Sequence, residues 1–350
     1  MTSVESNNKT VNLTAKSDIY GEVISEVPQF IISNGDSVSA TYAGNGTWWA
    51  VYTFDDYAEY NVSASYPLLD SLAVANAAVV LTRADSTLVL DNVVMDYMDS
   101  VNVTVTAAGA TGITAMIDGK EVNVTGYTIP ISGLNAGTHA LEVTTVPDAD
   151  HNSVSRTVNI IVNKLKTQLA ADSVTATYNI NKYLVITLKD AKGNALANIK
   201  VSVDLNGVKE YVTDNNGQIK VATQGLAPQT YTAKITFMGN TNYEKSFKDV
   251  KVTVKKATPK LTAKKKTFKK AKKVKKYIVT LKSNVGKAMK KVKLTIKVGK
   301  KTYTAKTNAK GQATFKLKKL SKKGKYTAVV TYKGDKFYNK VTKKVKITVK

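Results

Sequence analysis

The sequence predicts an all-β chain, a rod of tandem β-sandwiches. Three observations predict it. Apolar and polar residues alternate with a period of two, as in half-buried strands. Asp118-Gly119, Asn206-Gly207 and Gly299-Lys300 follow such runs and supply the positive φ of tight hairpins. One set of markers also recurs at a near-constant spacing of 93 to 95 residues.

The repeat is clearest in the second half. Ile199-Lys-Val-Ser-Val-Asp-Leu205 aligns with Val292-Lys-Leu-Thr-Ile-Lys-Val298, and Asn216-Gly217-Gln218 with Lys310-Gly311-Gln312. Tyr231-Thr-Ala-Lys-Ile-Thr-Phe237 aligns with Tyr326-Thr-Ala-Val-Val-Thr-Tyr332, and Val252-Thr-Val254 with Ile347-Thr-Val349. Weaker copies stand upstream at Gly137–Val143, Val158–Val162 and Tyr60–Tyr66. Four units result: 1–83 (divergent and aromatic-rich), 84–163 (acidic), 164–256, and 257–350 (lysine-rich). Linkers such as Lys255-Lys256-Ala257-Thr258-Pro259 are short, which predicts a semi-rigid rod.

In the last unit Val292, Leu294, Ile296 and Val298 alternate with Lys291, Lys293, Thr295 and Lys297. Tyr326, Ala328, Val330 and Tyr332 form a second inward set. Val345, Ile347 and Val349 form a third, with Lys344, Lys346 and Lys350 outward. The lysines thus read as the outer surface of a folded sheet rather than as a disordered tail. About seven short strands per unit, with no helical pattern, fit an immunoglobulin-like sandwich. Tyr60, Tyr231 and Tyr326 open equivalent strands and suit a tyrosine corner; His139 stands in that place in the second unit, on an inward register that predicts a packed core histidine.

Charge is distributed very unevenly. Residues 1–163 carry a net −13, 164–256 a net +7 and 257–350 a net +32, the last from 33 lysines against Asp335 alone. An acidic head on a basic foot suggests an object held at one end by anionic material. No apolar run reaches the roughly 18–20 residues of a membrane span. The absence of cysteine excludes thiolate metal sites and cysteine nucleophiles but not export. Met1 to Thr14 is polar and carries no signal-peptide core, so either the protein is not exported or, as expected for a surface protein, the chain is a fragment or a mis-started form of a longer one.

The residues Thr187-Leu-Lys-Asp-Ala-Lys-Gly193, Asp214-Asn-Asn-Gly217 and Tyr231-Thr-Ala-Lys-Ile-Thr-Phe-Met-Gly239 recur in part as Tyr326-Thr-Ala-Val-Val-Thr-Tyr-Lys-Gly-Asp335 with Tyr338-Asn339. In these the chain resembles the bacterial-type immunoglobulin-like repeats of adhesin-like surface proteins of methanogenic archaea. The match is good over 164–350 and loose over 1–163. The resemblance implies a surface-exposed adhesion or scaffold role without catalysis. It carries over no functional residues, because the motif positions are turns and cores.

Candidate sites are few. With two histidines and no cysteine, no nucleophile–base pairing or phosphate-cradling loop is visible, and no enzyme activity or cofactor is expected. Asp148-Ala-Asp150-His151-Asn152 is an oxygen-rich turn that could hold Ca²⁺, though its equivalents in later units are plain connecting loops, and no metal ligand is assigned. Trp48 and Trp49 lie in an aromatic stretch with Tyr42, Tyr52, Phe54, Tyr57, Tyr60 and Tyr66. Adjacent strand residues point to opposite faces, so one tryptophan should be core and the other outward. Trp48, Trp49 and Tyr52 are the candidate ligand contacts, against ordinary packing.

Asn8, Asn12, Asn45, Asn61, Asn102 and Asn123 head N-x-S/T glycosylation sequons, all within the first 125 residues. Lys291, Lys293, Lys297, Lys344 and Lys346 are the candidate envelope contacts. The function expected is a non-enzymatic, extracellular adhesin-like or stalk protein, its foot on an anionic cell-wall or envelope polymer and its N-terminal end distal, meeting surface glycans or proteins. The alternatives are a basic nucleic-acid-binding protein, disfavoured by lysine in place of arginine, and a carbohydrate-binding part of a longer extracellular enzyme.

Overall fold

The computed structural model describes residues 1–16, 27–65, 75–318 and 320–350; Tyr66 lies outside them. The described residues form strands and turns, with no helix. The chain divides into two compact units, Met1–Asn163 and Lys164–Lys350. The acidic charge falls in the first and the basic charge in the second.

Each unit holds two core clusters, and one five-stranded sheet order occurs four times. In the first, Val4–Ser6 pairs parallel with Ala75–Leu81, followed by Glu59–Ser65, Gln29–Ile32 and Ser37–Ser39. In the second, Val93–Asp96 pairs parallel with Ser155–Asn163, followed by Gly137–Pro147, Ala110–Ile117 and Lys120–Val122. In the third, Val174–Thr177 joins Ser246–Lys255, then Thr230–Phe237, Lys200–Asp204 and Val208–Val212. In the fourth, Lys266–Phe268 joins Val341–Val349, then Gly324–Tyr332, Lys293–Val298 and Lys301–Lys306. A short early strand thus closes the edge of the last strand every time, which removes one row of unpaired backbone groups.

The opposing sheets complete the sandwiches. Thr10–Lys16, Thr47–Thr53 and Thr41–Gly44 serve the first. Thr167–Ala171, Tyr183–Asp190 and Gln218–Ala222 serve the third, and Lys260–Thr262, Val274–Lys282 and Gln312–Lys318 the fourth. In the second, this sheet is reduced to Thr87–Val89 with Thr106–Ala108 and Ser100–Thr104 with Thr128–Ser132. The cores lie between the paired sheets. In the fourth, Leu294, Ile296, Val298, Ala328, Val330, Ile347 and Val349 are buried, on the inward registers that the alternation requires.

Turn chemistry explains the recurring Gly-Gln motif. Gly217 and Gly311 adopt φ of 67° and 71°. A Cβ on either would stand 2.5 Å from the carbonyl oxygen of Leu188 or Leu281. Those leucines donate their amides back to Gly217 and Gly311 at 2.8 Å, so the contact draws the turn onto the neighbouring strand. Asp214 and Asn308 brace the same turn, their side-chain oxygens accepting two backbone N–H groups each.

Between the third and fourth sandwiches the second unit is clasped by aromatic residues. The Tyr178 ring stacks on Phe337 at 4.8 Å and meets Tyr338 edge-on at 5.6 Å. Asn179 donates to the Tyr338 hydroxyl at 2.8 Å, and Asn284 to the Tyr178 carbonyl at 2.9 Å. The linker residue Ala257 pairs with Tyr338 in a parallel bridge.

The tyrosine corner is present three times. The hydroxyls of Tyr60, Tyr231 and Tyr326 donate to the carbonyls of Asp56, Ala227 and Lys322, each four residues upstream, at 3.1, 2.9 and 2.8 Å. His139 makes the same bond through Nε2 to the Asn135 carbonyl at 2.9 Å. Its side chain is 17% exposed, so it sits at the margin of the core that its register predicts rather than fully inside it. Its Nδ1 instead lies 2.6 Å from Asp118 Oδ2, in the hairpin turn, so the ring spans two oxygen acceptors. Only the protonated imidazole donates to both.

The Asp118 hydrogen bond and the Asn135 carbonyl hold the His139 pKa above its ordinary 6.5. The folded histidine therefore binds its proton more tightly than the unfolded one. Its contribution to stability is full below about pH 6.5 and is lost as pH rises through the raised folded value. Thermal unfolding followed from mildly acidic to mildly alkaline pH should show the second sandwich losing stability across that window. His139→Tyr, which rebuilds the corner without a titrating group, should flatten the profile; an unchanged slope would remove His139 from the account.

Candidate binding surfaces

Lys293, Lys297, Lys344 and Lys346 share the outer face of the fourth five-stranded sheet, and all are exposed. Their register follows from the pairing. Lys297 stands opposite Val329, which stands opposite Lys344, while Lys346 faces Thr327 and Lys293 faces Lys306. A row of threonines, Thr304, Thr295, Thr331 and Thr342, runs between the lysine rows. Neighbouring strands lie about 4.8 Å apart and same-face residues about 6.8 Å apart along a strand, so the ammonium groups form a broad grid rather than a cluster.

Lys291 departs from the expected outward strand position. The strand begins at Lys293, and Lys291 occupies the preceding turn with φ 57°, the conformation that Asn198 takes at φ 59° in the third sandwich. Lys275 departs further. Its side chain is 2% exposed, and its ammonium donates to the Lys272 carbonyl at 2.7 Å and more weakly to that of Lys270 at 3.4 Å. The one acidic side chain of this region, Asp335, accepts the backbone N–H groups of Phe337 and Tyr338 at 2.8 Å each and is bound up in its own turn.

The three aromatic candidates of the first sandwich divide between two faces. Trp48 is half-buried against the first core and packs on Tyr42 at 4.9 Å. Tyr52 points the same way, with Phe54 edge-on at 4.7 Å. Its hydroxyl donates to the Asp36 carboxylate and accepts from Asn34 at 3.1 Å. The bond to Asp36 raises the Tyr52 pKa. Trp48 and Tyr52 are therefore packing residues, and the three do not form one contact surface. Trp49 alone turns outward, 40% exposed beside Val51 at 46%.

All six sequon asparagines are exposed. Asn45 occupies a hairpin tip at φ 52°, and Asn8 a turn in which its side chain accepts the Thr10 amide at 2.9 Å. Asn12, Asn61 and Asn102 lie on strands, Asn61 opposite Ala78, Asn102 opposite Pro130 and Asn12 opposite Val51.

The oxygen-rich turn at Asp148 uses its donors internally. Asp148 Oδ1 lies 2.6 Å from His151 Nδ1, and this contact lowers the Asp148 pKa. Asp150 pairs with Lys9 at 3.5 Å, and Asn152 donates to Asp85 and to the Arg83 carbonyl. Lys9 and Arg83 both sit over the Tyr57 ring, at 4.9 and 5.7 Å. Among the described residues no group of three acidic, histidine or cysteine side chains is placed to hold a metal ion. No helix among them is long and apolar enough to cross a membrane.

No family model and no curated protein matches the chain. Solved structures do. One is a Ca²⁺-stabilised adhesin that helps an Antarctic bacterium bind ice: 16% identity, covering 98% of this chain and 95% of that one, TM-score 0.31. The I67–I69 fragment of the titin I-band has 12% identity, covers 77% and 100%, and has a TM-score of 0.33. Immunoglobulin domains 1–5 of Sidekick-1 have 9% identity, cover 100% and 78%, and have a TM-score of 0.30. The immunoglobulin-like reading of this chain stands on its own strand order and tyrosine corners. The methanogen resemblance rests on its motifs alone.

The division of the two tryptophans is directly measurable. Trp48→Ala should destabilise the first sandwich by about 2–4 kcal/mol through lost burial and a cavity. Trp49→Ser should change stability by no more than about 0.5 kcal/mol. Urea unfolding of each variant reads this, and equal effects would mean the strand faces are assigned wrongly.

Proposed function

We propose that the chain is a non-enzymatic, extracellular surface protein of the adhesin or stalk type. It is built of four immunoglobulin-like domains, 1–83, 84–163, 164–256 and 257–350. The last holds it to an anionic wall or envelope polymer, and the N-terminal domains stand away from that surface. The observation that carries the reading is the net +32 of residues 257–350, set on the outside of an ordered sandwich, against a net −13 over residues 1–163. A polyanion attracts one end and repels the other, so charge alone orients the molecule. Exposed lysines on flexible stems suit a polymer of irregular shape, whereas specific phosphate or base recognition favours arginine. The outward pair Trp49 and Val51 offers an apolar platform of the kind a sugar ring covers.

The test is retention of the full chain on isolated envelopes across a salt gradient, beside a variant with Lys293, Lys297, Lys344 and Lys346 changed to Gln. The wild type should release as screening shortens toward about 3 Å near 1 M salt. The variant should release earlier. Release of both together at the lowest salt would contradict the anchor. A strong preference for one DNA sequence at physiological salt would move the assignment to nucleic-acid binding.

A further inference from the structure

We propose that Asn12 is a glycosylation site whose sugar folds back onto Trp49 and Val51, so that this apolar platform is covered by the chain's own glycan. The inference rests on the extracellular reading above. Thr10–Lys16 and Thr47–Thr53 pair antiparallel, with Asn12 opposite Val51 and Thr14 opposite Trp49. Asn12-Leu13-Thr14 is a complete sequon. Leu13 is buried in the core, which turns both recognition residues outward onto the face that carries Trp49 and Val51. The acceptor nitrogen therefore stands across the strand from one exposed apolar side chain and diagonal to the other, and cross-strand diagonals are within reach of aromatic side chains.

Room and chemistry both suit a sugar. Among the described residues, Thr10–Lys16 is an edge strand of its three-stranded sheet, with no strand paired on the side away from Thr47–Thr53. Trp49 is flanked by Thr14 on one strand and Thr41 on the other. A pyranose presents an apolar C–H face to an aromatic ring and hydroxyls at its rim, which these threonines can meet. Attachment limits the entropy lost on docking, because the sugar is already tethered beside the platform.

The other sequons lack this arrangement. Asn8 and Asn45 lie in turns, Asn61 and Asn102 face Ala78 and Pro130, and Asn123 lies beyond the end of Lys120–Val122. The step itself needs a lipid-pyrophosphate-linked oligosaccharide and the transferase of an exporting cell. The Asn12 side-chain nitrogen bonds to the anomeric carbon, the bond from that carbon to the pyrophosphate oxygen breaks, the pyrophosphate leaves with the electron pair, and the amide gives up one proton.

The experiment uses the full chain carrying Trp48→Phe, which leaves Trp49 as its only tryptophan, produced in an exporting cell with N-glycosylation. Peptide mass mapping reads occupancy, and acrylamide quenching reads the exposure of Trp49. Asn12 should be occupied, with Trp49 emission shifted to the blue and quenching reduced. Adding Asn12→Gln or Thr14→Ala should abolish both effects equally, since each destroys the sequon by a different residue. Asn102→Gln should leave them intact. A bare Asn12, or an occupied Asn12 with Trp49 quenched as in Asn12→Gln, would overturn the inference. Envelope retention depends on the lysines of 257–350, so either result would leave the anchoring test unaffected.

Discussion

The pleat of the β-strand is the constraint on which the rest of this structure depends. Successive side chains point to opposite faces, so a strand can place a full hydrophobic core on one side and an unrestricted load of charge on the other. The fourth sandwich takes this far. Its 33 lysines surround a core as complete as that of its neighbour, because the alternation assigns nearly every lysine to an outward position or a turn. An α-helix carrying the same charge would bring ammonium groups within one turn of each other on one stripe. The sheet spreads them into rows separated by threonines. Charge density on this surface can therefore change with little effect on the fold, so the surface charge and the structural repeat are independent.

Loops rather than strands hold the repeat in register. The third and fourth sandwiches share a glycine whose missing Cβ lets a turn close on a neighbouring strand, and an Asp or Asn that braces it. They also share a buried threonine. Thr213 and Thr307 each donate to a carbonyl, of Leu196 and Met289, at 2.6 Å, and each accepts an amide, of Ile199 and Val292, just before the strand that pairs with the one preceding it. These polar groups are fully used, so their burial carries no desolvation penalty left unmatched. The second sandwich replaces the corner tyrosine with a histidine and thereby introduces a titrating group into a position that elsewhere is neutral.

Much of this was legible in the sequence. Period two gave the strand faces, the Asn-Gly and Asp-Gly pairs gave hairpins with φ of 51° to 114°, and parity separated Trp48 from Trp49. What escaped depends on contacts distant in sequence or on backbone strain. Tyr52 reads as part of an exposed aromatic surface until Asp36 and Asn34, on a separate hairpin, capture its hydroxyl. Lys291 reads as a strand residue because a lysine at positive φ has no sequence signature; only its alignment with Asn198 hints at a left-handed position. Lys275 occupies an inward register that no pattern expects of a lysine, and it is stabilised there by carbonyls of a loop five residues or fewer away. His139 keeps its corner bond at the margin of the core and adds one to Asp118, a partner set by the hairpin and not by the strand.

Residues 257–350 are an ordered sandwich wearing its lysines outside, not a cationic tail. Amide hydrogen exchange of the full chain, measured at low salt where repulsion is strongest, tests this most directly. Gly324–Tyr332 and Val341–Val349 should be protected comparably to Thr230–Phe237 and Ser246–Lys255, their counterparts in the third sandwich. Exchange of the first pair at the rate of an unfolded chain, with the second pair still protected, would contradict it.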